Sequence, residues 1–176
     1  MKKIFAVLAV LCLIMPWAGC SRYSEGTEAD LSDEPEPPNM LLTCTAGNET
    51  RSETVYHSTF VWETDNEDGT GSRREVFGEH LHPLAKLAAP MNAVMTLKRA
   101  DINEKIGISF PVSPDSFAVR RWEDSCIGNA DKYRHQWSPV EVNENTISAP
   151  NDGKGYVYEV TAYWPEGHAN YTFYLK

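Results

Sequence analysis

From residue 40 to the C-terminus, hydrophobic and polar residues alternate with a period of two, which is typical of half-buried β-strands. The clearest alternation runs from Tyr156 to Trp164, and a Pro-Glu-Gly turn then leads into a second alternating run that ends at Leu175. This pattern predicts an antiparallel hairpin, because short turn segments join neighbouring strands. We expect Trp164 to face the core and Glu159 to face solvent on the opposite side.

Shorter stretches repeat the same alternation, and turn residues separate them. The predicted strands are Met40 to Cys44, Tyr56 to Trp62, Ala93 to Lys98, Ile106 to Phe110, a strand that begins at Phe117, a small hairpin from Val140 to Ile147, and the C-terminal hairpin. Only the segment from His82 to Ala88 favours a helical turn or two. About eight strands without a sustained helix indicate an all-β protein. Residues 40–176 therefore favour an antiparallel β-sandwich, with a small β-barrel as the alternative.

Tyr156 follows an Asp-Gly-Lys-Gly turn at the start of its strand. This placement is similar to the tyrosine corner of immunoglobulin-like sandwiches, in which a buried phenol bonds to nearby backbone. We therefore expect the sandwich to be immunoglobulin-like, with Tyr156 as the corner residue.

The first residues differ from the rest of the chain, since two lysines precede an apolar run from Ile4 to Met15. That run is too short to span a bilayer, which needs about 20 apolar residues, and Pro16 would break a helix. Ala18 and Gly19 directly before Cys20 resemble a lipobox. Residues 1–19 are thus predicted to be a lipoprotein signal peptide, and Cys20 is predicted to carry the lipid, in the manner of a palmitate-containing anchor. The alternative is an ordinary signal cleaved near Ala18.

Residues 20–39 contain Ser, Glu, Asp, Gly and Pro and almost nothing that could be buried. This composition predicts a disordered acidic and proline-rich linker between the anchor and the domain. Loss of residues 1–19 would remove two lysines, so the net charge would change from −9 to −11, with 14 basic and 25 acidic side chains. An acidic chain without clustered Lys and Arg does not favour a nucleic-acid partner.

Export of the chain would permit a disulfide between Cys44 and Cys126. The sequence does not show that these two thiols meet, and the preferred interpretation leaves both free, with Cys44 packed in the core as a small hydrophobic residue.

The sequence contains no hydrolase elbow, phosphate loop, zinc spacing or complete calcium loop, so we predict no catalytic residues, no metal and no cofactor. Aromatic residues are more informative. Trp122, Tyr133 and Trp137 lie close together in an irregular stretch, and aromatic faces can stack on sugars or anchor a protein partner. We predict a binding surface at these three residues.

Several motifs carry a resemblance to a known group of proteins. They are Phe60-Val61-Trp62, His82-Pro83-Leu84, Pro114 to Trp122, and Tyr156 to Trp164. Over Met40 to Leu175 the chain resembles a group of small uncharacterised lipoproteins of Gram-positive gut-type bacteria, for which the resemblance implies no activity. Members often carry an apolar residue or cysteine where this chain has Arg121, which interrupts the inward alternation after Val119.

These observations lead to one functional hypothesis and two alternatives. The leading hypothesis is a non-catalytic binding or structural module, held by a lipid anchor at the extracytoplasmic face of the bacterial cell membrane. Its partner would be the membrane together with an envelope protein or glycan. A sensor or inhibitor that captures a peptide or glycan is the first alternative, and a cell-envelope hydrolase is the second.

Overall fold

The computed structural model describes residues 35–46, 49–65, 69–77, 82–86, 94–99, 102 and 105–176. The strands in these residues are β1 (Met40–Ala46), β2 (Glu49–Val55), β3 (His57–Asp65), β4 (Gly71–Val76), β5 (Met95–Leu97), β6 (Lys105–Ser109), β7 (Ser116–Glu123), β8 (Ser138–Val140), β9 (Thr146–Ser148), β10 (Tyr156–Trp164) and β11 (Gly167–Leu175). The helical elements are α1 (Pro83–Lys86), a 3₁₀ turn (Asp124–Cys126) and α2 (Ala130–Tyr133). The protein is therefore all-β, as its alternating pattern predicts.

The strands form two sheets that enclose one main core. The smaller sheet has the order β2-β1-β6-β9, and the larger sheet has the order β4-β3-β11-β10-β7-β8. The pairs along both orders are antiparallel, whereas β5 adds a short parallel pairing to the end of β11. The predicted antiparallel sandwich is confirmed, although the described residues contain more than the expected eight strands because short and highly exposed strands join the sheet edges.

The connectivity is that of an immunoglobulin-like sandwich with an insertion. Without β2 to β5, the remaining strands form β1-β6-β9 and β8-β7-β10-β11. An immunoglobulin constant-type domain pairs its first, second and fifth strands in one sheet and its third, sixth and seventh in the other, which is the arrangement seen here. Only the fourth strand differs, because β8 pairs with β7 in the larger sheet.

The main core lies between the two sheets and is rich in aromatic residues. Tyr158 stacks on Phe173 with ring centroids 4.7 Å apart, and Trp62 meets the edge of Trp164 at 5.5 Å. The buried side chains of β1 alternate as expected, at Met40, Leu42 and Cys44. Tyr56 departs from the prediction, because it lies outside β3 and is 69% exposed.

The C-terminal hairpin is confirmed, since β10 and β11 pair from Tyr156 with Leu175 to Trp164 with Gly167. Gly167 has a φ of 152°, and a Cβ there would lie 2.0 Å from the Val61 carbonyl oxygen of the neighbouring strand. Close approach of β3 to this turn therefore requires glycine.

The small hairpin predicted from Val140 to Ile147 is confirmed only at its turn, where Asn143 and Thr146 form an antiparallel bridge with two backbone hydrogen bonds of 2.9 Å. The flanking strands do not pair with each other. β8 pairs with β7 in the larger sheet, whereas β9 pairs with β6 in the smaller one. Between them Glu144 and Asn145 have positive φ angles of 49° and 60°, which residues of this kind adopt in tight turns. The turn thus transfers the chain from one sheet to the other.

The tyrosine corner differs from the expected form. Tyr156 is buried at the start of β10, but its phenol donates to the Asp152 carboxylate instead of to backbone. This hydrogen bond holds the pKa of Asp152 below its usual value.

The end of the predicted linker belongs to the domain. Pro37 is buried, and the Tyr171 phenol donates to the Pro38 carbonyl oxygen at 2.5 Å. Glu36 contacts Arg74 at 2.5 Å and His57 at 3.4 Å. The disordered linker predicted for 20–39 is therefore wrong for residues 35–39, because apolar and ionic contacts hold them, while residues 20–34 lie outside the described residues.

Candidate functional site

An aromatic cleft opens on the outer face of the larger sheet, where β7, β8 and β10 lie side by side. The cleft has a volume of about 320 Å³. Its lining residues are Ala118, Val119, Arg120, Trp137, Pro139, Thr161 and Tyr163. Two of its aromatic residues remain open to solvent, since Trp137 is 43% exposed and Tyr163 is 47% exposed. The cleft therefore combines apolar ring faces with polar groups at its base.

The Arg120 guanidinium lies at the base of this cleft and is fixed from several sides. Its Nε donates to a Glu159 carboxylate oxygen at 2.8 Å. The same guanidinium lies 5.2 Å from the Trp122 ring and 5.8 Å from the Trp137 ring. Such cation–π contacts orient both partners. Arg120 thus couples the exposed Trp137 to the interior of the sheet.

Glu159 was expected to face solvent, and this expectation is wrong. It lies on the face opposite Trp164, but β10 is covered on both faces from Tyr156 to Val160, so Glu159 is only 4% exposed. Burial raises the pKa of the Glu159 carboxyl, and the Arg120 charge beside it opposes that rise. The pair therefore keeps a charged group beneath the cleft.

A row of hydrogen bonds continues across the same face. The Thr161 hydroxyl donates to the Asn170 side-chain oxygen at 2.6 Å, and the Asn170 amide donates to the Thr59 hydroxyl at 2.7 Å. Because Thr161 donates in this direction, its oxygen can still accept a hydrogen bond from a ligand in the cleft. The side of the cleft is thus polar and preorganised.

The predicted binding surface of Trp122, Tyr133 and Trp137 is divided by the structure. Trp122 is 2% exposed and packs with Leu84 and Val157 in a second, smaller core cluster. Its indole N–H donates to the Tyr133 carbonyl oxygen at 3.0 Å. Trp122 is therefore mainly a packing residue, half-buried Tyr133 packs against the same cluster, and both border a second, separate cleft. Of the three, Trp137 alone lines the aromatic cleft.

Tyr163 is the aromatic residue that sequence reasoning missed. Its position on the polar side of an alternating strand was the available signal, because a large aromatic residue there has no core to enter. Its ring lies 5.8 Å from the ring of His168 on the neighbouring strand.

His82 packs against the smaller core cluster. Its ring meets the edge of Trp122 at 5.3 Å, and its Nδ1 accepts the Leu84 backbone N–H at 3.3 Å. Burial, followed by the charges of Arg134 and Arg120, lowers the pKa of His82 to about 4. Neutral His82 is therefore a packing residue of this cluster at neutral pH.

The two cysteines of the domain lie in different surroundings. Cys44 is buried in the main core, whereas Cys126 packs beside the smaller cluster, and the two cysteines do not form a disulfide. This agrees with the preferred interpretation and not with a disulfide. Cys20 lies outside the described residues.

Two further findings concern the part of the chain that the structure describes. No three histidine, cysteine or acidic side chains converge there as a metal site would require. Nor does any helix in those residues have the length and apolar character needed to cross a membrane.

In comparisons with known proteins, no family model, no curated protein and no solved structure matches this chain. The fold and the cleft together define an immunoglobulin-like β-sandwich with an exposed aromatic cleft on its larger sheet.

Proposed function

We propose that this chain is a lipid-anchored, extracytoplasmic binding module whose aromatic cleft binds a glycan of the cell envelope. The single observation that carries the proposal is the pair of exposed rings, Trp137 and Tyr163, at the mouth of one cleft. Exposed aromatic rings in a cleft with fixed polar groups are typical of a ligand site. Non-catalytic binding is proposed because the residues that line this cleft supply recognition groups and no nucleophile with an adjacent base.

The dimensions of the cleft favour a sugar over a protein surface. A volume of about 320 Å³ suits a small ligand. A stable protein interface buries roughly 800 Å² on each partner, which is far more than two rings can supply. The apolar faces of pyranose rings can stack on Trp137 and Tyr163, while Thr161 accepts a hydrogen bond from a sugar hydroxyl.

A glycan array probed with the chain from residue 20 onward, carrying Cys20→Ser, tests the binding proposal. Trp137→Ala and Tyr163→Ala should each weaken the glycan signal by roughly tenfold, since a lost stacking contact is worth about 1.4 kcal/mol. Tyr56→Ala is the matched control, because Tyr56 is an exposed aromatic residue that does not line the cleft. An equal loss of glycan signal in all three variants would overturn the proposal. So would binding of an envelope protein that Trp137→Ala leaves unchanged.

The anchor has its own experiment. Cells that express the full chain are given labelled palmitate, and the label should appear in the wild-type protein and be absent from Cys20→Ala. Equal label in both proteins would contradict the lipid anchor and leave the glycan proposal unaffected.

A further inference from the structure

A second cleft lies at the end of β7, and it is polar where the first is aromatic. It has a volume of about 440 Å³, and Arg121, Glu123, Gln136, Ser138 and Tyr156 are among its lining residues. It does not share Trp137 or Tyr163 with the aromatic cleft. Its properties therefore stand independently of the proposed glycan site.

Arg121 is the residue that sets this cleft apart. Its register partner on β10 is Tyr158, whose side chain is buried in the main core. The guanidinium lies over the Tyr156 ring, 4.5 Å from its centroid. Its Nε is buried, and within the described residues it has no hydrogen-bond partner. The Tyr158 hydroxyl is also buried without a hydrogen-bond partner, and the neighbouring Arg121 charge opposes the rise in the pKa of Tyr158 that burial causes. The structure thus places an arginine inside the sandwich beside a neutral phenol and without a compensating negative charge.

The neighbouring acidic groups are already engaged with other partners. Glu123 accepts from the Lys154 ammonium at 2.6 Å. Asp152 accepts from the Tyr156 phenol and from the Lys154 backbone N–H. In the part of the chain that the structure describes, no carboxylate forms an ion pair with Arg121. A half-buried cation in this state is incompletely compensated, which costs free energy that an added anion would recover.

We infer that this cleft binds the carboxylate group of a small organic acid, with Arg121 as the anion-binding residue. The face of the Arg121 guanidinium stacks on Tyr156, so the N–H groups along its edge can bind the two oxygens of a carboxylate. Ser138 and Gln136 supply neutral donors around the anion. A single negative charge suits the site better than a phosphate dianion, because Glu123 lines the same cleft and the chain carries a net charge of −9.

The test follows the Nε–H signal of Arg121 by NMR in the chain from residue 20 onward with Cys20→Ser. The probes are N-acetylalanine, its uncharged match N-acetylalaninamide, and inorganic phosphate. We expect a saturable shift with N-acetylalanine, none with the amide, and weaker binding of phosphate. Binding of N-acetylalanine should fall by about tenfold in Arg121→Gln and remain unchanged in Arg51→Gln, a surface arginine on β2.

Several outcomes would overturn this assignment. They are equal binding of the acid and the amide, tighter binding of phosphate, unchanged affinity in Arg121→Gln, and no shift at tens of millimolar acid. Arg121→Lys distinguishes ligand recognition from folding, because lysine keeps the positive charge but lacks the paired N–H donors of the guanidinium. The affinity of this variant for N-acetylalanine should lie between those of the wild type and Arg121→Gln. Backbone amide shifts of the core strands in each variant report whether the sandwich is intact.

Discussion

Arg120 and Arg121 are neighbours on β7, but their side chains lie in different surroundings. Arg120 points to the outer face, where it pairs with buried Glu159 and lies between two tryptophan rings. Arg121 points into the sandwich, where it covers the Tyr156 ring and leaves its Nε without a partner. The charge of the first is compensated within the protein, whereas the charge of the second is open to a ligand.

The difference is set by the strand across the sheet. The register of β7 with β10 places Glu159 opposite Arg120 and Tyr158 opposite Arg121. Alternation alone sends adjacent side chains to opposite faces. Whether a charge is then neutralised depends on its cross-strand neighbour, which is separated by about forty residues in the chain and has no local signature.

The largest expected effect tests whether the outer side of β7 is core. Trp122→Ala should reduce the free energy of unfolding by about 3 to 5 kcal/mol, the range for removal of a large buried aromatic side chain. Trp137→Ala, the exposed counterpart, should cost less than about 1 kcal/mol. Urea denaturation midpoints provide the measurement, and similar midpoints for the two variants would mean that Trp122 is not buried as described.

The second effect separates the two arginines. Arg120→Ala should cost about 3 kcal/mol, the lower end for breaking a buried ion pair, because Glu159 is left buried while the Arg120 side chain itself is 37% exposed. Arg120→Leu combined with Glu159→Leu should recover most of that loss. A double variant as unstable as Arg120→Ala would show that packing, and not the unpaired carboxylate, causes the loss.

A pH effect of intermediate size should come from His82, on the outer side. In the unfolded chain this histidine takes up a proton near pH 6.5, whereas in the folded chain its pKa is about 4. The unfolded state therefore binds more protons between these values, and stability falls as the pH is lowered through this window. Allowing for solvent screening of the half-buried ring, the loss is about 1 to 2 kcal/mol. His82→Gln should lose less stability between pH 6.5 and 4.5, as measured by denaturation at each pH, and an unchanged slope would contradict the assignment.

The smallest effect belongs to the inner arginine. Arg121→Leu loses a cation–π contact worth about 0.5 to 1 kcal/mol and relieves an unpartnered buried donor of similar or greater cost. Its free energy of unfolding should therefore stay within about 1 kcal/mol of the wild type or rise. A loss as large as that of Arg120→Ala would show that Arg121 has a structural partner.

The sequence pattern predicted the strands that have one regularly buried face. β1 and the β10–β11 hairpin alternate cleanly, and both are found. The sequence pattern did not predict β2 and β4, because most of their side chains are exposed and edge strands of this kind lack an apolar face. The expected position of Glu159 was wrong for the opposite reason, since β10 lies centrally in its sheet and its first half is covered on both faces.

The binding surface was only partly predictable for a related reason. Composition placed aromatic residues near one another, but their exposure depends on long-range packing. Trp122 is covered by Leu84 from a segment far away in the chain, while Tyr163 remains open across the sheet. The contact that buries Trp122 leaves no trace in local spacing, whereas the place of Tyr163 on the polar side of β10 was a local signal of its exposure.

The docking of residues 36–38 against Tyr171, Arg74 and His57 has a consequence for reach. With the lipid proposed on Cys20, these contacts set an upper limit on the distance between the lipid and the domain, because the chain is held to the domain no later than about residue 36. The fifteen residues between these points can extend to at most about 50 Å, since a stretched chain spans roughly 3.4 Å per residue. The aromatic cleft could then reach only those envelope glycans that lie close to the bilayer. The limiting distance is the length of the extended chain plus the diameter of the domain. Loss of the Glu36 contacts would increase the maximum distance between the lipid and the domain by the length of a few residues.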